Sequence, residues 1–304
     1  MDRFDELQTF VRVVEAGGIS AAAERMGIAK SAVSRRLQEL ENRLDAQLLQ
    51  RTTRRIHLTD AGRDFYQRSL HILDELDEAE QSLQSGQQAL GGRIRLNAPL
   101  SLGLRHLLPV IELLQGQHPQ LVFDLDLDDR EINLIEEGVD VLLRVGKLED
   151  SSLVARRLCP IYFLYCAAPD YLARRGEPKQ ATDLSAHDGI GYNLVPEAQQ
   201  WQLGLVQGRL LHKPHIRLAT NNGDIILKAA EEGMGIAMLP TFICHQAIEQ
   251  GRLQPVLREH SPAPMALYAI YPSRRHLPQR VRALIDFLVE WFAEGTPWDH
   301  VESR

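Results

Sequence analysis

Two short helical patterns that meet at one glycine, between residues 20 and 44, restrict this chain more than any other stretch of its sequence. Ser20 is the residue type of an N-cap for Ala21–Met26, with Glu24 near the first turn, and Gly27 halts that helix after about two turns. The next pattern starts at once. Ile28, Val33, Leu37, Leu40 and Leu44 form a buried stripe, while Ser31, Ser34, Arg35, Gln38 and Asn42 point away from it at about 100° per residue. A helix over Phe4–Val14 precedes the pair, with Phe4, Leu7, Phe10, Val11 and Val14 on one face and Gly17-Gly18 as its stop.

Ala22 and Ala23 let the two short helices cross closely, and the second then shows small polar and arginine side chains outward. These are the parts of a helix-turn-helix whose second helix fits a DNA major groove about 12 Å wide. Leu48 to Thr59 reads as two β-prone runs around a basic tip, a wing suited to phosphate and minor-groove contacts. Charge agrees with this. The net charge of −7 opposes bulk affinity for nucleic acid, yet residues 25–63 hold nine Lys/Arg against four acids. The expected DNA-contacting residues are Ser20, Lys30, Ser31, Ser34, Arg35, Arg36, Arg51, Thr52, Thr53, Arg54 and Arg55. Arg35 is the candidate for a bidentate base contact. Arg36 lies nearer the buried stripe, where it can also brace the fold, and Ser20 is expected to cap its helix as well.

From Asp60 to about Leu90 runs an acidic helical pattern with a heptad seam through Phe65, Ile72, Leu76, Ala79 and Leu83, the expected dimerisation residues. Packing of that stripe on its own chain is the alternative. Beyond Gly91-Gly92 the chain alternates strands and helices: Ile94–Ala98, Leu121–Leu127, Val139–Val145, Ile161–Cys166, His215–Ala219 and Ala266–Tyr271 read as strands, and Gln279–Phe292 as a closing helix. Ligands of open α/β sheets bind beyond the carboxyl ends of strands. The turns there supply the candidate effector residues Leu100, Ser101, Leu102, Asp128, Arg144, Gly146, Asn221 and Asn222, joined by Asn193 and Trp201. Each has a plain structural counterpart: a helix cap for Ser101 and the asparagines, a solvated turn for Asp128-Asp129, a core position for Trp201. Arg144, in a strand, needs a ligand anion or a partner such as Asp140 or Glu137.

Other functions find little support. No GxSxG elbow, HExxH, Walker loop or GxGxxG after a strand is present, so no catalytic residues are expected and the chain is not read as an enzyme. Cys159, Cys166 and Cys244 lack paired spacing and are expected to be reduced thiols, with no metal or cofactor. No apolar run reaches the ~18 residues of a membrane span and the amino terminus is acidic, so a cytoplasmic protein is expected.

The residues Phe10, Val13–Glu15, Ser20–Ala23, Ser31–Ser34, Leu37, Leu40, Glu41, Leu48, Leu49, Arg51, Leu58, Thr59, Ala61 and Gly62 together resemble the LysR-type transcriptional regulators. Glu136–Gly138 with Asp140, Leu143–Arg156 and Gly233–Pro240 resemble its CrgA-like branch. Ala29-Lys30 departs from the family pattern, replacing a conventional N-cap with a cation near the DNA. The resemblance implies an α/β protein: a winged helix-turn-helix at 1–59, a dimerisation helix at 60–90, and an effector domain similar to periplasmic solute-binding proteins at 91–304. It further implies lobes at 91–163 with 270–304 and at 164–269, and a small-molecule effector between them. Implied partners are double-stranded DNA carrying an imperfect inverted repeat, a second copy in a homodimer or homotetramer, and RNA polymerase, with no membrane. A solute-binding module without regulatory output, and an enzyme on the same fold, are the alternatives.

Overall fold

The computed structural model describes residues 2–51, 56–84, 90–134, 136–146, 153–202, 205–206, 209–272 and 277–298. The chain divides into two compact units, one of Met1–Arg93 with Pro119–Val122 and Asn133–Val139, the other of the remaining residues. Among the described residues, no helix is long and apolar enough to cross a membrane.

The first unit opens with α1 (Arg3–Glu15), α2 (Ile19–Met26) and α3 (Lys30–Leu44), followed by β1 (Leu49–Arg51), β2 (Ile56–Leu58) and α4 (Asp60–Gln84). Its core follows the apolar spacing of the sequence: Phe10, Val13, Ala22, Ala23, Val33, Leu37, Leu40, Leu48 and Leu49 are buried together. Gly27 takes φ 66°, the left-handed geometry glycine tolerates, and its amide closes α2 onto Ala23 and Glu24. The expected cap at Ser20 is not formed. α2 starts two residues earlier, at Ile19 with Gly18 in the cap position, so Ser20 sits inside the first turn with its side chain exposed. β1 and β2 pair antiparallel from Leu49↔Leu58 to Arg51↔Ile56, and Thr52, Thr53, Arg54 and Arg55 between them lie outside the described residues.

The second unit builds two five-stranded sheets. Its elements are β3 (Gly91–Ala98), α5 (Leu100–Leu102), a π-helical turn Gly103–Leu107, α6 (Leu108–Gln117), β4 (Gln120–Leu127), β5 (Val141–Gly146), β6 (Leu153–Ile161) and β7 (Phe163–Ala167). There follow α7 (Pro169–Arg175), β8 (Asp188–Tyr192), α8 (Glu197–Gln200), β9 (Leu205–Val206), β10 (Arg209–Leu210) and β11 (His215–Thr220). The chain continues through α9 (Gly223–Glu231), β12 (Ile236–Pro240), α10 (Thr241–Glu249), β13 (Gln254–Val256), β14 (Met265–Pro272) and α11 (Gln279–Ala293). One sheet has the order β4-β3-β5-β14-β6 and the other β11-β8-β12-β7-β13. The chain crosses to the second sheet at Tyr162 and returns before β14, whose pairing with β5 and β6 puts the return ahead of Met265 rather than at residue 270. The expected single strand over Ile161–Cys166 is the junction of β6 and β7, one strand in each sheet.

Candidate functional site

In the first unit, burying Val33, Leu37 and Leu40 turns the opposite face of α3 outward. Lys30, Ser31 and Arg35 are exposed there and Ser34 is half-buried. Arg35 keeps two-thirds of its side chain exposed, and its one ion contact among the described residues, to Glu39 a turn along, is long at 3.9 Å. Ala29 precedes α3 without a side-chain cap, and its carbonyl accepts from the amides of Ala32 and Val33 at 2.9 and 3.2 Å, which leaves the positive end of a 15-residue helix beside exposed Lys30 and Ser31.

Arg36 behaves differently. It donates to the Thr9 hydroxyl at 3.2 Å and lies 3.4 Å from the Asp5 carboxylate, so it braces α3 against α1 instead of facing out. Arg43 does the same with Glu6, at 3.0 and 2.7 Å. The Glu41 carboxylate accepts from the amides of Leu48 and Leu49 at 2.8 and 3.0 Å, which ties the root of the β1–β2 wing to α3. Arg51 ends β1.

The helical seam of α4 is shorter than its heptads suggest. Phe65, half-buried, packs its ring 5.5 Å from Phe10 against the core of its own module, the alternative the sequence offered for this stripe. Ile72 is exposed and Leu76 half-buried, and the side chains of Ala79 and Leu83 lie outside the described residues.

In the second unit, the turns after β3, β4, β5, β8 and β11 carry the expected effector residues. Ser101 is buried, and its hydroxyl donates to the Asp224 carboxylate at 2.7 Å; Arg105 donates to the other oxygen of the same carboxylate at 2.9 Å through Nε. This joins the turn after β3 in one sheet to the start of α9 beside the other. Leu102 is fully buried and Leu100 half-buried. Asn222 caps α9, accepting from the amides of Asp224 and Ile225 at 2.9 and 3.0 Å, while Asn221 and Asn193 are exposed. Gly146 is half-buried at the end of β5, with open space where a side chain would begin.

Arg144 has neither of its expected partners. Its guanidinium donates to the main-chain carbonyls of Asp128, at 2.7 Å, and Arg130, while Asp140 accepts from the Arg95 amide at 2.9 Å. Asp128 is spent on Arg130, whose guanidinium holds its carboxyl below the ordinary value. Burial pushes its neighbour Asp129 upward, opposed by the nearby Arg144 charge and by the Leu100 amide. Trp201 is not a cleft wall. It is fully buried in the core with Tyr165, Leu184 and Ile236, its ring stacked 5.6 Å from Tyr165.

Arg105 and Asp224 thus complete the arrangement without having been singled out from sequence. Arg105 and Asp224 lie 119 positions apart, and no local pattern links them. Asp129 had a signal in its place after an apolar strand, shared with Asp128.

Known proteins match along this whole plan. A family model of bacterial regulatory helix-turn-helix proteins, lysR family, matches residues 4–63, and the LysR substrate binding domain matches residues 87–293. The chain is 34% identical over 284 residues to a helix-turn-helix transcriptional regulator of Haemophilus influenzae, covering 93% of this chain and 99% of that protein. It is 35% identical over 288 residues to the transcriptional regulator CrgA of Neisseria meningitidis, covering 94% and 96%. The solved structure of CrgA, described as a LysR-type transcriptional regulator, is similar with a TM-score of 0.62 at 33% identity, covering 96% of this chain and 99% of that one.

Proposed function

The chain belongs to the LysR family of transcriptional regulators, with a helix-turn-helix for DNA and a substrate-binding effector domain, and from that premise we propose how its residues divide the work. The outward face of α3 enters the major groove of double-stranded DNA. Arg35 contacts a base edge, Lys30 and Ser31 meet phosphate beside the uncapped start of α3, and Ser34 and Ser20 approach the backbone. The wing from Arg51 through Thr52, Thr53, Arg54 and Arg55 tracks phosphates and the minor groove. Arg36 serves as a brace and not as a DNA contact. The observation that carries this reading is the contrast between two adjacent arginines, one spent on Thr9 and Asp5, the other exposed with a single weak neighbour.

The module occupies residues 1–59 and α4 pairs two copies from Ile72 onward, so that a homodimer or a pair of dimers meets an imperfect inverted repeat. A small-molecule effector binds between the sheets, at the turns carrying Leu100, Ser101, Arg144, Gly146, Asn193 and Asn222. It shifts the balance of conformations by its different affinity for them. The protein acts where the chromosome is, in the cytoplasm, with RNA polymerase as the machinery it influences. Selection of genomic fragments by the full-length protein, followed by footprinting, tests this: two protected half-sites about one helical turn or a multiple apart are expected. Uniform protection without preferred fragments overturns it.

A further inference from the structure

Two segments on different sheets of the effector domain are tied together by the chain's own polar groups. Ser101 and Arg105 stand four positions apart on the helical segment after β3, so their side chains leave one face of it. Asp224, the second residue of α9, receives both. The Ser101 hydroxyl donates to one carboxylate oxygen at 2.7 Å, and Arg105 donates to the other from Nε at 2.9 Å and from Nη2 at 2.5 Å. Charge-assisted hydrogen bonds of this length are the strong ones. The Arg105 and Asp224 side chains are only 25% and 29% exposed, so salt and water screen them less than a surface pair. One position on, the His106 ring lies 2.9 Å through Nε2 from the Phe242 carbonyl of α10. The π-helical turn Gly103–Leu107 carries Arg105 and His106, and such turns are rare and concentrate at functional sites. Gly223, just before Asp224, lets the two segments close: a Cβ there would lie 3.0 Å from the Ser101 hydroxyl oxygen and 2.5 Å from Ile243 Cδ1.

We propose that Ser101, Arg105 and Asp224 form a clasp that holds the two lobes of the effector domain in one arrangement, and that release of this clasp is what lets them move against each other. Its two sides belong to different sheets, so it breaks when the lobes swing about their crossings and stays whole when each lobe flexes within itself. The clasp is made of the chain's own residues and acts with or without an effector. Asn222 caps α9 by accepting from the Asp224 amide at 2.9 Å, so the clasp and a candidate effector turn share the first turn of one helix. Where an effector binds at that turn, as assigned above, it shifts the lobes only by the difference in its affinity for the clasped and released states.

The test uses full-length protein with nitroxide labels at Glu112→Cys on α6 and Asp170→Cys on α7, exposed positions on the two lobes, while Cys159, Cys166 and Cys244 are buried. Labelled chain is diluted into an excess of unlabelled chain, and pulsed electron–electron double resonance reads the distance between the lobes within one chain. The clasped protein is expected to give one narrow distribution. Asp224→Ala should widen it at least about twofold, as a second lobe arrangement becomes populated. Arg105→Gln should widen it too, and adding it to Asp224→Ala should widen it no further, because Arg105 then lacks the Asp224 carboxylate. Arg252→Gln breaks an ion pair with Glu231 at the other end of α9, inside one lobe, and should keep the narrow distribution. The clasp is overturned if the unsubstituted protein is already as wide as Asp224→Ala, if the double variant is wider than Asp224→Ala, or if Arg252→Gln widens the distribution equally. Should Asp224→Ala fail to fold, Arg105→Gln alone decides, and an unwidened distribution there overturns the clasp. None of these distances depends on an effector, so failure of the clasp leaves the effector reading where it stood.

Discussion

Replacing Arg35 and Arg36 one at a time separates DNA contact from folding at adjacent positions. Arg35 is exposed, and its 3.9 Å approach to Glu39 is an i,i+4 surface pair worth about 0.3–0.5 kcal/mol. Arg35→Ala should therefore leave the unfolding temperature within about 2–4 °C of wild type. Its effect falls on DNA. Losing one phosphate contact removes about 0.9 from the slope of log K against log salt, which is roughly 3.5-fold in affinity for a fourfold change in salt. Losing a bidentate base contact adds ~1–3 kcal/mol, roughly 5- to 150-fold, on the preferred fragment only. Arg36 is only 22% exposed and bridges Thr9 and Asp5. Its removal breaks a charge-assisted hydrogen bond and a partly buried ion pair, together about 1–3 kcal/mol, so Arg36→Ala should unfold roughly 4–20 °C earlier. When folded, that variant should bind DNA with the wild-type salt slope. Thermal unfolding and fluorescence anisotropy across salt read both quantities. Unchanged affinity and slope in Arg35→Ala, or lost DNA binding in a fully stable Arg36→Ala, refutes the division of roles.

Gly62→Ala places a methyl group against the Leu48 carbonyl oxygen, a backbone atom that cannot turn aside, and should destabilise the DNA-binding module by ~1–3 kcal/mol, measured by denaturant midpoint. Trp201→Ala opens the core and should cost about 3–5 kcal/mol by the same measurement, in keeping with a packing role. His106 and His245 lie 6.0 Å apart, buried against Trp298, and burial holds both below the ordinary value of 6.5. The unfolded chain then takes up protons first on acidification. Stability of the effector domain is full above pH 6.5 and should fall as pH drops below it, and His106→Gln should flatten that fall in a thermal-unfolding series.

The helix-turn-helix was legible because its determinants are local. Apolar residues spaced three and four apart set α1 and α3, and Gly27 at positive φ sets the turn. Ser20 misled because Gly18, with an extended backbone and no side chain, starts α2 earlier than a polar cap residue suggests. The heptad seam was legible as a period, and Phe65 satisfies that spacing by packing on Phe10 within its own module. In the effector domain, strand ends located the candidate turns, and Asn222 is the cap its residue type suggests. The partners of Arg144 are main-chain carbonyls, which leave no trace in residue type. The Ser101–Asp224–Arg105 cluster depends on a pairing of distant segments that only the two-sheet topology creates.

The most direct measurement of the central claim is the affinity of full-length protein for a genomically selected fragment and for a scrambled fragment of equal length, each titrated across salt. Sequence-specific reading through α3 predicts parallel salt slopes of several phosphates for both fragments, with the selected one bound at least about 10³-fold tighter at every salt concentration. Equal affinities for the two fragments, or affinity that does not change with salt, would contradict it.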